Sequence, residues 1–137
     1  MRDKPYRKRI GMLLWASRNG RPDIAFQVNA LARVSTNPGP AHWHATTQVL
    51  RYLKGTRDYA LTYTRDPDLD PSHFNPVGYS DADWAPKYGD HYDNYRSTTG
   101  WVFFLGGNAI SWRSRRQTRT AKSSAESEYY AAADAAK

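Results

Sequence analysis

The spacing of the apolar residues changes near Gly55, and this change divides the chain into two parts with different expected structures. Before Gly55, apolar residues recur every three or four positions, as they do on one face of an amphipathic helix. After it, short alternating or continuous apolar runs indicate strands. Helices followed by strands predict an α+β fold. We therefore expect a helical segment at residues 1–56 and a mixed segment at residues 57–137.

Three helices are predicted in the helical segment. The first spans Tyr6 to Arg18 and stops at Asn19-Gly20, and the second begins at Pro22, a residue type favoured in a first helical turn. The run Asn37-Pro38-Gly39-Pro40 then breaks the chain before a third helix. Gly55 is expected to end that helix as a left-handed cap, because glycine adopts a positive φ without strain.

Strands and turns are predicted for most of the mixed segment. Four stretches have strand composition: Tyr59–Thr64, Val77–Asp81, Trp101–Leu105 and Ala109–Arg113. Gly106-Gly107-Asn108 predicts a tight hairpin, and the short connections favour antiparallel pairing. The polar stretches at residues 65–75 and 85–97 are expected to be loops. A last helix is predicted after a capping box formed by Ser123 and Glu126.

The composition limits the possible partners and sites. The chain carries 20 Lys and Arg against 13 Asp and Glu, and a net charge of +7 is typical both of nucleic-acid-binding proteins and of a solvated basic surface. The absence of cysteine excludes disulfides and thiolate metal sites, and it fits an intracellular protein of the cytoplasm or nucleus. No membrane span is expected, because no run of about 18 apolar residues occurs.

Asp81 and Glu128 are the candidate ligands of a hard cation. Asp81 shares one side of its strand with Val77 and Tyr79, so we expect it to point toward the covered face, near the edge. The alternative is a strand-end carboxylate that accepts backbone hydrogen bonds in the next turn. Glu128 is either the second ligand or a solvated carboxylate near a helix start, where the helix dipole favours it.

Two further acidic residues and the histidines are less suitable as ligands. Asp83 is either an outer oxygen donor or a surface residue, and Asp134 is excluded because it does not share a helix face with Glu128. No zinc site is expected, since one pair of histidines would point apart on a helix and the others lie in polar stretches. The histidines are His42, His44, His73 and His91.

A dense basic stretch separates the last strand from the last helix. Its charged residues are expected to contact backbone phosphates beside the two carboxylates, and the alternative is a solvated loop. The residues concerned are Arg113, Arg115, Arg116, Arg119 and Lys122.

Six motifs of this chain occur in the order and spacing found in a known family. They are Arg21–Ala25, Leu50–Thr56, Gly78–Ala85, Arg96–Gly107, Ala109–Trp112 and Ser123–Tyr129. These motifs resemble the reverse transcriptase connection and the ribonuclease H region of Pol polyproteins from copia-type LTR retrotransposons. The resemblance covers nearly the whole chain.

The resemblance implies a fold, an activity and a set of partners. Residues 1–56 match the connection segment, and residues 57–137 match the first half of a ribonuclease H-like fold, a three-stranded antiparallel sheet with its first helix. Asp81 matches the first catalytic Asp and Glu128 the catalytic Glu, which together ligate Mg²⁺ while the RNA strand of an RNA–DNA hybrid is cut. The implied partners are such a hybrid or another nucleic acid, and the remaining segments of the polyprotein.

The chain also departs from the family pattern. The third catalytic Asp, which the family carries on a later strand, and the Tyr-x-Asp-Asp polymerase motif are not in these 137 residues. Gly20 replaces a usual Thr, and the loop at residues 87–95 is longer than typical. The resemblance therefore predicts a truncated ribonuclease H-like fragment that is inactive by itself. Two other hypotheses remain: a nucleic-acid-binding remnant without chemistry, and a non-functional product that does not fold stably.

Overall fold

The computed structural model describes residues 4–64, 75–84 and 95–137. These residues form four α-helices and a three-stranded antiparallel sheet, which confirms the predicted α+β class. The chain divides into two compact units, Met1–Leu61 and Thr62–Lys137. The predicted loops at residues 65–75 and 85–97 lie largely outside the described residues, as do His73 and His91.

Three α-helices and a short 3-10 helix build the first unit. The order is α1 (Tyr6–Asn19), the 3-10 helix (Pro22–Ile24), α2 (Ala25–Arg33) and α3 (Pro40–Gly55). The three predicted helices are thereby confirmed. Pro22 and Pro40 each stand in a first helical turn, where the missing proline N–H removes no helical hydrogen bond.

The end of α3 differs from the prediction. Gly55 is the last helical residue and does not adopt a positive φ, so the expected left-handed cap was wrong. The N–H of Thr56 donates to the Tyr52 carbonyl at 2.9 Å, and the Thr56 hydroxyl donates to the same carbonyl at 2.8 Å. Because Thr56 satisfies this carbonyl, the helix ends without a left-handed glycine.

A small apolar core holds the helices of the first unit together. It combines one residue from each helix with the last residue of the 3-10 helix, and the α2 member Val28 is completely buried. The Tyr6 hydroxyl adds a hydrogen bond of 2.8 Å to the Leu31 carbonyl, which ties α1 to α2. The buried core residues are Leu13, Ile24, Val28 and Val49.

The second unit contains the sheet. Its strands are β1 (Val77–Asp83), β2 (Thr98–Leu105) and β3 (Asn108–Arg116), paired antiparallel in the order β1-β2-β3. Gly106 and Gly107 form the turn between β2 and β3 with φ values of 55° and 75°, so the predicted hairpin is confirmed. Positive φ at both central residues is the requirement of the type I′ turn, whose twist matches that of the flanking strands.

The predicted strand at Tyr59–Thr64 was wrong, because these residues do not pair in the sheet. Tyr63 and Thr64, which belong to the second unit, contact the β2–β3 hairpin through side-chain hydrogen bonds instead. The Tyr63 hydroxyl donates to the Ala109 carbonyl at 2.8 Å, and the Asn108 side chain exchanges two hydrogen bonds with the Thr64 backbone at 3.1 and 3.2 Å. The Asn108 side chain thus satisfies the Thr64 backbone groups that a neighbouring strand would otherwise bind. Strand propensity alone does not reveal such a side-chain partner.

The last helix, α4 (Ser124–Ala135), packs against β1 and β2. Strand pairing places Ala82 opposite Thr99, and Thr99 opposite Arg115, so these side chains share one face of the sheet. The helix covers this face: Ala82 and Thr99 are buried, and so are Ser127 and Ala131 on the facing side of α4. Sheet and helix together form the core of the second unit.

Candidate functional site

Asp81 lies on the side of β1 that faces away from α4. Side chains alternate along a strand, so Tyr79, Asp81 and Asp83 share the side opposite the buried Ala82. Asp81 itself is exposed, and Tyr79 remains 63% exposed. The expectation that Asp81 points toward a covered face was therefore wrong. The physical reason for this error is that the alternation of side chains along a strand shows only which residues share a side. The side that is covered depends on where α4 packs.

Asp83 shares the orientation of Asp81. The strand continues through Asp83, which pairs with Thr98, two positions from the pair of Asp81 with Gly100. Both carboxylates are exposed and form no ion pair with another described residue. The arrangement presents two acidic oxygen donors on one side of a strand end, which is the ligand chemistry that a hard cation prefers.

Glu128 lies on the exposed side of α4, next to the buried Ser127. The helix is held to the sheet at this point by Gln117, whose side-chain N–H groups donate to the Ser127 carbonyl at 2.9 Å and to the Thr99 hydroxyl at 3.0 Å. These bonds fix the part of the helix that carries Glu128 against the strand next to β1. The close approach of the Glu128 and Asp81 carboxyl groups stays a prediction.

Only the Ser123 half of the predicted capping box forms at the start of α4, because the Glu126 side chain binds the Lys122 N–H and not the Ser123 N–H. The Glu126 N–H donates to the Ser123 hydroxyl at 3.1 Å, which confirms Ser123 as the cap. The Glu126 carboxylate accepts a hydrogen bond from the Lys122 N–H at 2.6 Å and one from the Tyr130 hydroxyl at 2.7 Å. These bonds, the Lys122 one first, hold the pKa of Glu126 below its usual value. Glu126 is thus used in the structure of the helix start, and Glu128 is left free of that task.

The basic stretch does not form one uniform surface. Arg113 and Arg115 lie on the α4 side of β3, whereas Arg116 lies on the other side, opposite Thr98. Arg115 pairs with Asp134 of α4. Arg119 and Lys122 follow the strand in the connection to α4 and are exposed.

The next feature is the grouping of possible metal ligands among the described residues. No group of three or more His, Cys, Asp or Glu residues with metal-binding geometry occurs there. His42 has a structural role, since its Nδ1 accepts a hydrogen bond of 2.9 Å from the Gly39 N–H at the start of α3.

Similar proteins identify the family. The retrovirus-related Pol polyprotein from transposon TNT 1-94 of Nicotiana tabacum is 42% identical over 134 residues, 97% of this chain and 9% of that protein. The one from transposon RE2 of Arabidopsis thaliana is 39% identical over 129 residues, 94% of this chain and 8% of that protein. The chain belongs to the family of retrotransposon Pol polyproteins. It spans less than a tenth of the length of these two polyproteins.

Another relative is similar in length to this 137-residue chain, which is called the Pol segment from here on. Secreted RxLR effector protein 161 of Plasmopara viticola is 42% identical over 135 residues, which are 98% of this chain and 89% of that protein. No family model matches the Pol segment, and no solved structure matches it. Among residues 4–64, 75–84 and 95–137, no helix combines the length and the apolar character needed to cross a membrane.

Two motifs in the first unit of the Pol segment bind each other. The guanidinium of Arg21 donates to the Asp23 carboxylate, most closely at 2.7 Å, and to the carbonyl and hydroxyl of Thr56 at 3.0 and 2.6 Å. The Tyr52 hydroxyl donates to the same carboxylate at 2.8 Å. The Arg21 hydrogen bond is the main cause that lowers the pKa of Asp23, although partial burial opposes it. These motifs thus have a structural role, joining the 3-10 helix to the end of α3.

Sequence reasoning missed two residues of the Pol segment with buried, unfilled acceptors. Gln117 is a neutral residue within a basic stretch, so charge alone does not single it out. Asp134 does not share a helix face with Glu128, so it was excluded as a metal ligand. In the structure, one oxygen of each side chain is buried without a hydrogen-bond donor among the described residues. The i, i+2 pattern of Arg113, Arg115 and Gln117 on one side of β3 was the available signal.

Proposed function

We propose that this chain is the first half of a ribonuclease H-like domain of a retrotransposon Pol polyprotein, preceded by its connection segment. In this proposal Asp81 and Glu128 bind Mg²⁺, and the substrate is the RNA strand of an RNA–DNA hybrid. The supporting observation is that Asp81 and Glu128 are both exposed, on a strand and a helix that pack together. Because Asp81 lies on the side of β1 that faces away from α4, a shared ion requires the Glu128 side chain to reach past the edge of the sheet at β1. Carboxylates from neighbouring elements, not used in other ion pairs, suit a shared cation.

The chemistry divides between the metal and the protein. When bound, Mg²⁺ activates a water and stabilises the leaving oxygen of the phosphodiester. Asp81 and Glu128 would hold the ion, Asp83 would accept hydrogen bonds beside it, and the capped helix start would keep Glu128 in place. Two-metal hydrolysis needs carboxylates from several elements. We therefore propose that the 137-residue chain requires the third acidic residue implied by the resemblance before it cleaves.

The test compares the 137-residue chain with a longer Pol segment that includes the following acidic strand. Each is mixed with Mg²⁺ and an RNA–DNA hybrid labelled on the RNA strand, and cleavage is followed on a denaturing gel. We expect cleavage only by the longer chain, and its loss in Asp81→Asn and Glu128→Gln. The matched control is Asp58→Asn, because this exposed carboxylate lies in the first unit.

Three outcomes contradict this proposal. Cleavage by the 137-residue chain, abolished by Asp81→Asn, refutes the inactivity of the segment. Full activity of Asp81→Asn in the longer chain refutes the assignment of the ligand. Activity without added divalent cation, and in the presence of a chelator, refutes the role of Mg²⁺.

A second candidate function is nucleic-acid binding without chemistry. The exposed side chains of Arg113, Arg119 and Lys122 favour it, together with the net charge of +7. Binding through phosphates releases counterions, so the logarithm of the association constant falls linearly with that of the salt concentration. Measured by fluorescence anisotropy, Lys122→Gln should reduce this slope by about 1. Binding that does not change between low and moderate salt contradicts this function.

A further inference from the structure

The positive charge of the chain arises in its first unit. Residues 1–61 contain 11 Lys and Arg against 3 Asp and Glu, a formal charge of +8, whereas residues 62–137 contain 9 against 10, a formal charge of −1. A charge that differs so much between two parts of a chain indicates a polyanionic partner for the basic part. The helical unit is therefore the part of the Pol segment to search for such a surface.

The carboxylates of the first unit that the structure describes already lie beside arginines. Asp23 binds Arg21 at 2.7 Å, and Asp58 lies 3.8 Å from Arg57. The helix α1 contains four cations and no acidic residue. No carboxylate of α1 itself thus neutralises the cations of this helix.

The four cations of α1 differ in their contacts. The Arg9 guanidinium stacks on the Trp43 ring, 3.3 Å from its centroid, and so has a structural role. The Nε of Arg7 donates to a backbone carbonyl just after α2 at 3.1 Å. Lys8 and Arg18 are exposed and form no ion pair with another described residue. These two cations are available to a partner.

Two large exposed side chains share the outer face of α1 with these cations. Trp15 is 70% exposed and Met12 is 57% exposed. At 100° per residue, Lys8, Met12, Trp15 and Arg18 lie within about 120° of one another, and Trp15 lies between the two cations along about 15 Å of helix. The residues that α1 buries lie on the opposite side. They are Tyr6, Ile10, Leu13 and Ser17.

An exposed indole ring between two cations fits one class of polyanion best. Unpaired bases stack on aromatic side chains while cations beside them contact the phosphates of the same strand. A duplex offers phosphates, but its bases already stack on each other. A membrane surface requires a helix with a wide apolar face, and α1 uses most of its apolar residues in the core of the first unit. An acidic peptide offers charge without bases.

We propose that the outer face of α1 binds an unpaired nucleic-acid strand. Trp15 stacks on a base, and Lys8 and Arg18 contact phosphates on either side of it. Because neither contact involves the sugar, RNA and DNA strands bind alike. This surface shares no residue with the proposed metal site, and binding needs no divalent cation, so the two proposals stand or fall separately.

The first experiment measures binding of a short fluorescein-labelled thymidine oligonucleotide to the 137-residue chain by fluorescence anisotropy, with a chelator present. Trp15→Leu should weaken binding about tenfold, because the stacking contact is lost. Tyr59→Leu is the matched control, since Tyr59 is an aromatic residue of the same unit and is 66% exposed. An affinity that Trp15→Leu leaves unchanged overturns the proposal, and so does the absence of binding by the parent chain.

The salt dependence of binding locates the phosphate contacts. Lys8→Gln and Arg18→Gln should each reduce the slope of log K against log salt concentration by about 0.7, the contribution of one phosphate contact to a single strand. Arg57→Gln removes the same charge from another exposed position of the first unit and should leave the slope unchanged. Equal reductions in all three variants would mean that net charge alone attracts the strand, which contradicts a surface on α1.

Unlabelled competitors then test the nature of the partner. A uridine oligonucleotide of the same length should displace the labelled strand as well as the thymidine oligonucleotide does, and a blunt DNA duplex should displace it less well. A duplex that competes equally contradicts recognition of unpaired bases. Vesicles containing phosphatidylserine that bind the parent chain more tightly than Trp15→Leu, and displace the strand from it, would assign this face to a membrane and overturn the proposal.

Discussion

At the scale of single residues, Gly78 is restricted by a close neighbour. A Cβ atom at this position would lie 2.4 Å from Cε1 of Phe103, the residue paired with Gly78 across β1 and β2. The Phe103 ring cannot move freely, because it packs edge-on against Trp101 with a centroid distance of 5.5 Å. Glycine is therefore required by space, since its φ is not positive.

Gly78→Ala should lower the free energy of unfolding by about 1–3 kcal/mol, the usual cost of overpacking. Urea denaturation monitored by tryptophan fluorescence measures the change. Gly100→Ala is the control within the same sheet, because its added Cβ meets no atom within 4 Å. If shortening the neighbour in Gly78→Ala/Phe103→Leu recovers no part of the loss seen in Gly78→Ala, the explanation by crowding is contradicted.

Tyr52 is a second residue whose contacts define its role. Its hydroxyl donates to the Asp23 carboxylate, which also binds Arg21. Tyr52→Phe removes this bond and leaves the ring, so it should lower the free energy of unfolding by about 1 kcal/mol. Tyr59→Phe is the matched control, because Tyr59 is 66% exposed. Equal stability of the two variants in urea denaturation would contradict a stabilising hydrogen bond between Tyr52 and Asp23.

At the scale of elements, the start of α4 depends on pH. The folded-state pKa of Glu126 is lowered, chiefly by the hydrogen bond from the Lys122 N–H. A carboxyl group with a depressed folded pKa stabilises the protein above its unfolded pKa, near about 4.3, and this contribution is lost as the pH falls through the folded value. The helix start should therefore weaken only in acid.

Glu126→Gln should lower the melting temperature at neutral pH and bring it closer to that of the parent as the pH falls below about 4.3. Ser123→Ala removes the cap without removing a titrating group, so it should cost about 1 kcal/mol at every pH. Melting curves of the parent and both variants between neutral and acid pH measure these effects. A difference between Glu126→Gln and the parent that does not change with pH contradicts the carboxylate's role.

The elements also show where sequence reasoning succeeds and fails. The helices were predicted correctly because their period, proline positions and cap are local features, and the Gly106–Gly107 turn because it depends on two positive φ angles. The strand at Tyr59–Thr64 was predicted wrongly, because strand composition does not show whether a neighbouring strand is available for pairing. The metal site itself stays a prediction, and the side of β1 on which Asp81 lies relative to α4 could not be predicted from the sequence.

At the scale of the whole molecule, each of the two units has its own buried residues. Leu13, Val28 and Val49 pack in the first unit, and α4 covers the sheet in the second. Several large apolar side chains nevertheless remain exposed, including Trp15 at 70% and Tyr79 at 63%. Exposed apolar surface of this kind favours association at high concentration.

The 137-residue chain should unfold cooperatively on heating, because cores that are buried together are lost together. Far-ultraviolet circular dichroism at low protein concentration should show one or two sigmoidal transitions, one for each unit. A gradual loss of signal without a transition would instead support the hypothesis of a product that does not fold stably. Gly78→Ala should shift only a transition that belongs to the second unit, which identifies the units in the curve.

Local chemistry alone determined the helices, the hairpin and the cap of α4, since each depends on residues within a few positions of one another. The family also follows from the sequence, which is 42% and 39% identical to two Pol polyproteins over nearly its whole length. Only the tertiary structure decided which side of β1 is covered and why Arg21, Asp23 and Tyr52 meet. It also decided that oxygens of Gln117 and Asp134 are buried with no donor among the described residues. The physical reason is that burial depends on what packs against a residue, and that partner lies far along the chain.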